Sequence, residues 1–350
     1  HVLTHSFPTR RSSDLNYKSN APQMEADKNN FTLNKHSRAS RFNMIKHKRS
    51  LHQPESSPAP LKRKNFNTMR IKFPLLLLLI PFFWGCKHEK LDNKPLISVS
   101  IEPLRNIVEH LAGDYYKVVT LTPVGASPET YEPTPKQLID VSNSKLYFAI
   151  GTLGFEKQQL ERMKETAPTL KIYTVSDGIS LLSVQHEGHG DSTDPHIWMS
   201  PKNVVQMARN VCNALCQNDP EHTAVYKKKM ADLERHADEV DRRIRLMVSK
   251  VRYRNFLIYH PALAYFANEY GFRQLTIEQD GKEPSSEHLA TIISEAKAAE
   301  VHIIFLQREF KGRSVKSFSE ATGARVVIIN PLAYRWDNEV IATAKALAAQ

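Results

Sequence analysis

Four polar residues, Glu129, His196, His260 and Asn330, stand where apolar runs give way to loops, at separations of 67, 64 and 70 positions. Two imidazoles and a carboxylate form a three-ligand set for a divalent transition ion, with Asn330 or a water completing the sphere. Singly, each has an ordinary reading: Glu129 as a solvated loop carboxylate, His260 as a helix-start residue in the core, Asn330 as a turn former before Pro331. It is the joint spacing that points to metal. His196 lies in Asp194-Pro195-His196-Ile197-Trp198-Met199-Ser200-Pro201, where proline restricts the backbone and an aromatic supplies mass to bury. Its imidazole is therefore aimed in a defined direction. Just upstream, His186-Glu187-Gly188-His189-Gly190-Asp191 reads as an exposed, mobile polar loop holding two more imidazoles.

The elements that must position these residues alternate between strand and helix. Before residue 219, the pattern predicts strands at 96–101, 116–121, 146–150 and 170–175, with helices at 103–112, 135–141 and 155–164. After 254 it predicts strands at 256–259, 275–278, 301–306 and 325–329, with helices at 262–270, 286–299, 313–322 and 339–349. Such alternation implies an α/β fold with parallel sheets, whose sites form beyond the carboxyl ends of the strands. Between the two sets, residues 221–254 lack Gly and Pro and carry an apolar stripe of Met230, Leu233, Ala237, Val240, Ile244, Met247 and Val251. A helix of that length spans on the order of 45 to 50 Å, which suits a spine bearing two lobes better than a coiled-coil surface. The expected division is an N-terminal lobe at 96–218, a linking helix at 219–254 and a C-terminal lobe at 255–350. Two of the four polar residues fall on each side of the helix, so a cleft between similar lobes would bring them face to face.

The formal net charge of +11 over 350 residues suggests nucleic acid until its location is examined. Residues 1–68 hold 13 basic and 4 acidic side chains, whereas residues 87–350 hold 33 of each. A neutral body offers no phosphate-binding face, so no nucleic-acid partner is expected. The Ser-, Asn-, Pro- and Lys-rich stretch 1–68 has the composition of a disordered or non-native extension. Residues 69–86 read as a secretory signal: Arg70 and Lys72 precede an apolar run ending at Gly85-Cys86, too short to span a bilayer. Cys212 and Cys216 are expected to be small buried apolar residues rather than a disulfide or metal pair. No G-x-G-x-x-G, P-loop, H-E-x-x-H or G-x-S-x-G motif occurs.

Residues 125–134 (Gly-Ala-Ser-Pro-Glu-Thr-Tyr-Glu-Pro-Thr), 194–201, 259–266 (Tyr-His-Pro-Ala-Leu-Ala-Tyr-Phe) and 329–332 (Ile-Asn-Pro-Leu) resemble the four ligand segments of the zinc/manganese solute-binding lipoproteins of ABC importers. The resemblance runs from Leu96 to the end of the chain. It implies two Rossmann-like lobes joined by one long rigid helix, and a metal site made of Glu129, His196, His260 and Asn330. It further implies a monomeric receptor, not an enzyme, with a membrane permease and its ATPase as partners. Cys86 resembles a lipobox cysteine, implying an envelope protein lipid-anchored to a membrane on the periplasmic side. His186 and His189 resemble a short form of the metal-gathering His-rich loop. The family usually has His where this chain has Glu129, and Asp where it has Asn330, so water is an alternative fourth ligand. Imidazoles favour Zn2+, while the added carboxylate leans back towards Mn2+ or Fe2+.

Two other classes fit some of the same residues. A zinc-dependent hydrolase would use the two His and the carboxylate to hold a water, with Glu132 as base. A lipid-anchored adhesin or scaffold would instead use the long helix.

Overall fold

The computed structural model describes residues 94–186, 189–278 and 283–350. Strand β1 (Leu96–Val99) leads into α1 (Glu102–Ala112), followed by β2 (Lys117–Thr120), α2 (Pro135–Ser142), β3 (Leu146–Ala149), α3 (Gly154–Thr166) and β4 (Lys171–Thr174). These strands form one parallel sheet in the order β2-β1-β3-β4. The β3 residues Leu146, Tyr147, Phe148 and Ala149 are all buried, as expected of a parallel strand covered on both faces. Helix α1 buries Leu104, Ile107, Val108 and Leu111 against it.

After the first sheet come a short antiparallel pair, β5 (Ser183–His186) and β6 (His189–Thr193), then α4 (Pro201–Asn218) and α5 (Thr223–Val248). The second half consists of β7 (Asn255–Ile258), α6 (Ala264–Tyr270), β8 (Arg273–Thr276), α7 (Ser286–Ala298), β9 (Ile303–Gln307), α8 (Arg313–Thr322), β10 (Arg325–Ile329) and α9 (Trp336–Ala348). Its parallel order is β10-β9-β7-β8. Read from β8, this repeats the first sheet: the opening strand lies inside, its successor beside it at the edge, and the next two on the other side. Both halves are therefore Rossmann-like lobes, and each places a switch point beside its opening strand. Gly271 (φ 72°) and Gly323 (φ 75°) end α6 and α8 in the left-handed conformation, the stops their sequence positions predict.

The linking helix differs from its sequence reading. Pro220–His222 form a separate 3-10 turn, and α5 runs for 26 residues, about 39 Å. Past its end the Arg254 guanidinium donates to the Val248 carbonyl at 2.9 Å, satisfying a terminal carbonyl of the helix where no Gly or Pro follows. The apolar stripe is nonetheless buried at Met230, Leu233, Ala237, Val240 and Ile244. Helix α5 packs against α1 and α4 of the first lobe and α9 of the second, and one apolar core continues through both. A spine, not a free coiled-coil surface, is what this packing makes.

The stretch read as a mobile loop at 186–191 also differs, since β5 and β6 pair antiparallel with Ser183 opposite Thr193 and His186 opposite His189. The side chains of His186 and His189, the stretches 1–68 and 69–86, and Cys86 lie outside the described residues. Cys212 and Cys216 are free thiols, and burial, reinforced by Cys216, pushes the Cys212 thiol up to about 11.

Candidate metal centre

Each candidate side chain is fixed by its own local chemistry. Glu129 sits in the loop between β2 and α2, which the side chain of Gln137 closes at both ends. Gln137 Nε2 donates to the Leu121 carbonyl (3.2 Å), while its Oε1 accepts from Tyr131 Oη (2.7 Å) and the Thr134 amide (3.0 Å). Thr134 and Gln137 form a capping box at the start of α2. Tyr131 packs edge-on against Phe155 at 6.2 Å.

His196 follows β6. Asp194 Oδ1 accepts from both the His196 amide (2.8 Å) and the ring Nδ1 (2.9 Å), a local turn typical of aspartate. With Nδ1 held there, Nε2 points away from the turn. The neighbouring Trp198 is fully buried and its indole Nε1 donates to the Pro331 carbonyl at 2.8 Å, fastening this turn to the other lobe.

His260 follows β7 at its carboxyl end, beside the switch point. Gln307 clamps its backbone from β9: its Oε1 accepts from the His260 amide at 3.3 Å and its Nε2 donates to the His260 carbonyl. Glu278 accepts from His260 Nδ1 at 2.7 Å, and Phe310 lies across the ring at 5.3 Å.

The two free Nε2 atoms converge on one carboxylate. His196 Nε2 is 3.1 Å and His260 Nε2 is 2.7 Å from oxygens of Glu129, and one ligand atom from each residue lies within 4.8 Å of the others. The His196 and His260 side chains are 5% and 11% exposed and that of Glu129 is 26% exposed, so Glu129 is the most solvent-accessible of the three.

Both nitrogens of each ring face carboxylate oxygens. With those carboxylates ionised, each ring must be a doubly protonated imidazolium, or an ion must replace the proton on Nε2. Burial alone would raise the Glu129 carboxyl, but hydrogen bonds and charge from the two imidazoles outweigh it and hold it far below the usual range. Burial alone would lower His196. The charge and hydrogen bond of Asp194, joined by Glu129, instead raise it to about 10. His260 likewise overcomes its burial through hydrogen bonds to Glu129 and Glu278 and rises to about 9.

This charge pattern suits a divalent cation. Three carboxylates around two imidazolium rings carry the same net charge as three carboxylates, two neutral rings and one dication, so exchanging two protons for the ion leaves the local balance unchanged. Among the described residues, Asp194 Oδ2 and Glu278 Oε2 are buried without a hydrogen-bond partner, while the other oxygen of each carboxyl group holds a ring Nδ1. A ligating imidazole backed by a carboxylate on its other nitrogen is the usual arrangement in metal sites.

Asn330 follows β10 directly, and its amide donates to Glu339 Oε1 at 2.8 Å. It lies one residue from the carbonyl that Trp198 engages. Glu132, the base required by a hydrolase, is exposed and outside the three-residue cluster. Glu309, in the loop after β9, is a further carboxyl near the site. Burial chiefly raises its carboxyl, while the charges of His260 and His196 act to lower it and that of Glu129 to raise it, so it shares the field of the site. No periodicity or motif marks it. Asp194 and Glu278 were visible as residue types but not as partners of the rings.

The family model for ZnuA, described as the periplasmic component A of the zinc-uptake complex, matches residues 97–340. The chain belongs to the ZnuA family. A crystal structure of ZnuA superimposes with a TM-score of 0.69 at 32% identity, covering 73% of this chain and 99% of that one. A Chlamydia trachomatis relative, named only for metal binding, is 29% identical over 278 residues, or 78% of this chain and 98% of its own. The iron-binding protein YfeA of Yersinia pestis is 26% identical over 229 residues, or 63% of this chain and 72% of its own. As a member of the family, the chain is a metal-binding solute receptor of a metal-uptake system and not an enzyme, which removes the hydrolase reading. Among the described residues no helix is long and apolar enough to cross a membrane.

Proposed function

We propose that this receptor captures one divalent transition ion between its lobes, on Glu129, His196 and His260, and hands it to the permease of an ATP-driven importer. The lobes are residues 96–218 and 255–350, with 219–254 as the rigid link. The observation that supports this reading best is the meeting of three side chains from distant segments, each pre-oriented by a second partner. Ion capture needs such preorganisation, and a spine packed against both lobes limits closure to small tilts.

Zinc is the favoured cargo, because two imidazole nitrogens dominate the ligand set. Asn330, a neutral and poor ligand, or a water takes the fourth position. Manganese or iron is the second reading, favoured by a carboxylate at Glu129, which adds oxygen to the set. His186 and His189 would gather metal at the hairpin. Cys86, once acylated, would tether the receptor to the membrane, and a monomer suffices for the site because every ligand comes from one chain.

Competition calorimetry tests the cargo directly. The expected result is one zinc per chain, bound more tightly than manganese or iron; tighter manganese or iron binding would transfer the assignment to that ion.

A further inference from the structure

Tyr265 belongs to α6, five residues beyond His260, yet its polar contacts lie in the other lobe. Its side chain is 4% exposed. The hydroxyl donates to the Asp194 carbonyl at 3.0 Å and accepts from the Leu182 amide at 3.1 Å. Asp194 N–H in turn donates to the Leu182 carbonyl at 2.9 Å. These three hydrogen bonds close a ring at the stem of the β5–β6 hairpin, where Ser183 pairs with Thr193. Asp194 is also the residue whose carboxylate takes both the amide and Nδ1 of His196.

We propose that the Tyr265 hydroxyl is a positioning residue for ion capture: by fixing Asp194 from the C-terminal lobe, it orients His196 of the N-terminal lobe. The inference rests on the receptor reading above and adds a means of release to it. The segment that supplies His260 also carries the group that aims His196. Parting the lobes therefore withdraws one ligand and frees the other in a single movement, with no new contact needed at the ion. An importer that pulls the lobes apart gains a steep loss of affinity from a small displacement. The hairpin stem is tied to the same hydroxyl, so its hydrogen bonding reports the state of the site.

The test compares zinc binding to the full chain and to Tyr265→Phe, a substitution that keeps the ring and removes only the hydroxyl. Loss of one buried hydrogen-bonding group should weaken zinc binding by about three- to tenfold, with faster dissociation and faster hydrogen exchange at the Leu182 amide. In a His196→Ala background the same substitution should leave the residual zinc affinity unchanged, because a group acting through His196 has nothing left to orient. A purely structural role would lower affinity in both backgrounds and overturn the proposal. So would zinc affinity and dissociation equal to those of the unsubstituted chain, or loss of the far-ultraviolet circular dichroism of the folded state. An unsubstituted chain that binds neither zinc, manganese nor iron would instead overturn the receptor reading itself.

Discussion

Glu129 and His260, 131 positions apart in the chain, meet at 2.7 Å between a carboxylate oxygen and Nε2. One comes from a loop of the first lobe and the other from the carboxyl end of the strand that opens the second. Their contact makes the proposed ion site an interlobe feature, and the behaviour expected of that site follows from its protons.

Metal affinity should rise steeply with pH. His196 and His260 are raised to about 10 and about 9, so at neutral pH each binding event displaces a proton from both rings. Affinity then climbs up to about a hundredfold per pH unit below pH 9, and about tenfold per unit between 9 and 10. The stability of the metal-free protein should move oppositely. Because both histidines are raised above their ordinary value of about 6.5, their stabilisation is complete below that pH and is lost as pH rises through 9 and 10. Glu129, being lowered, contributes above the ordinary carboxylate range and loses its contribution on acidification. Calorimetry in buffers of different ionisation enthalpy should find nearly two protons released per ion at pH 7, and melting of the metal-free chain should show the falling limb. Proton release near zero would refute the doubly protonated rings.

Asp194→Asn keeps an oxygen beside His196 Nδ1 but removes the charge. An outer partner of this kind is worth about 10- to 100-fold in metal affinity, and the zinc dissociation constant should increase by that factor while circular dichroism stays unchanged. An effect below threefold would show that the turn alone aims the ring.

Asn330→Ala should change zinc affinity by less than about threefold, a difference of under 1 kcal/mol, if water takes the fourth position. Asn330→Asp should selectively strengthen manganese binding, since added oxygen suits that ion. A large loss in the alanine variant would make Asn330 itself a ligand.

Much of this was legible in the sequence because its signals are local. Strand and helix alternation, the helix-ending glycines and the apolar stripe through Ile244 each depend on near neighbours, and the two-lobe architecture follows from them. The clustering of Glu129, His196 and His260 was legible because their positions, at loops after strands on either side of the linking helix, place them in one cleft. What stayed hidden depends on distance: Glu278 and Gln307 holding His260, and Tyr265 reaching Asp194, are pairings that only the folded chain creates. The hairpin was hidden for another reason, since a polar, Gly-containing pair of strands without apolar alternation reads as loop.

Trp198→Phe tests the fastening between the lobes. The substitution keeps an aromatic in the core but leaves the Pro331 carbonyl without its donor, which should cost about 1 to 3 kcal/mol in denaturant unfolding. A change under 0.5 kcal/mol would mean that water replaces the indole without penalty.

The most direct measurement is the metal content of the purified chain after dialysis against limiting zinc, beside that of the His196→Ala, His260→Ala double variant. One ion per chain in the first and none in the second is the predicted result. An ion retained by the double variant, or none held by the unsubstituted chain, would contradict a site built from Glu129, His196 and His260.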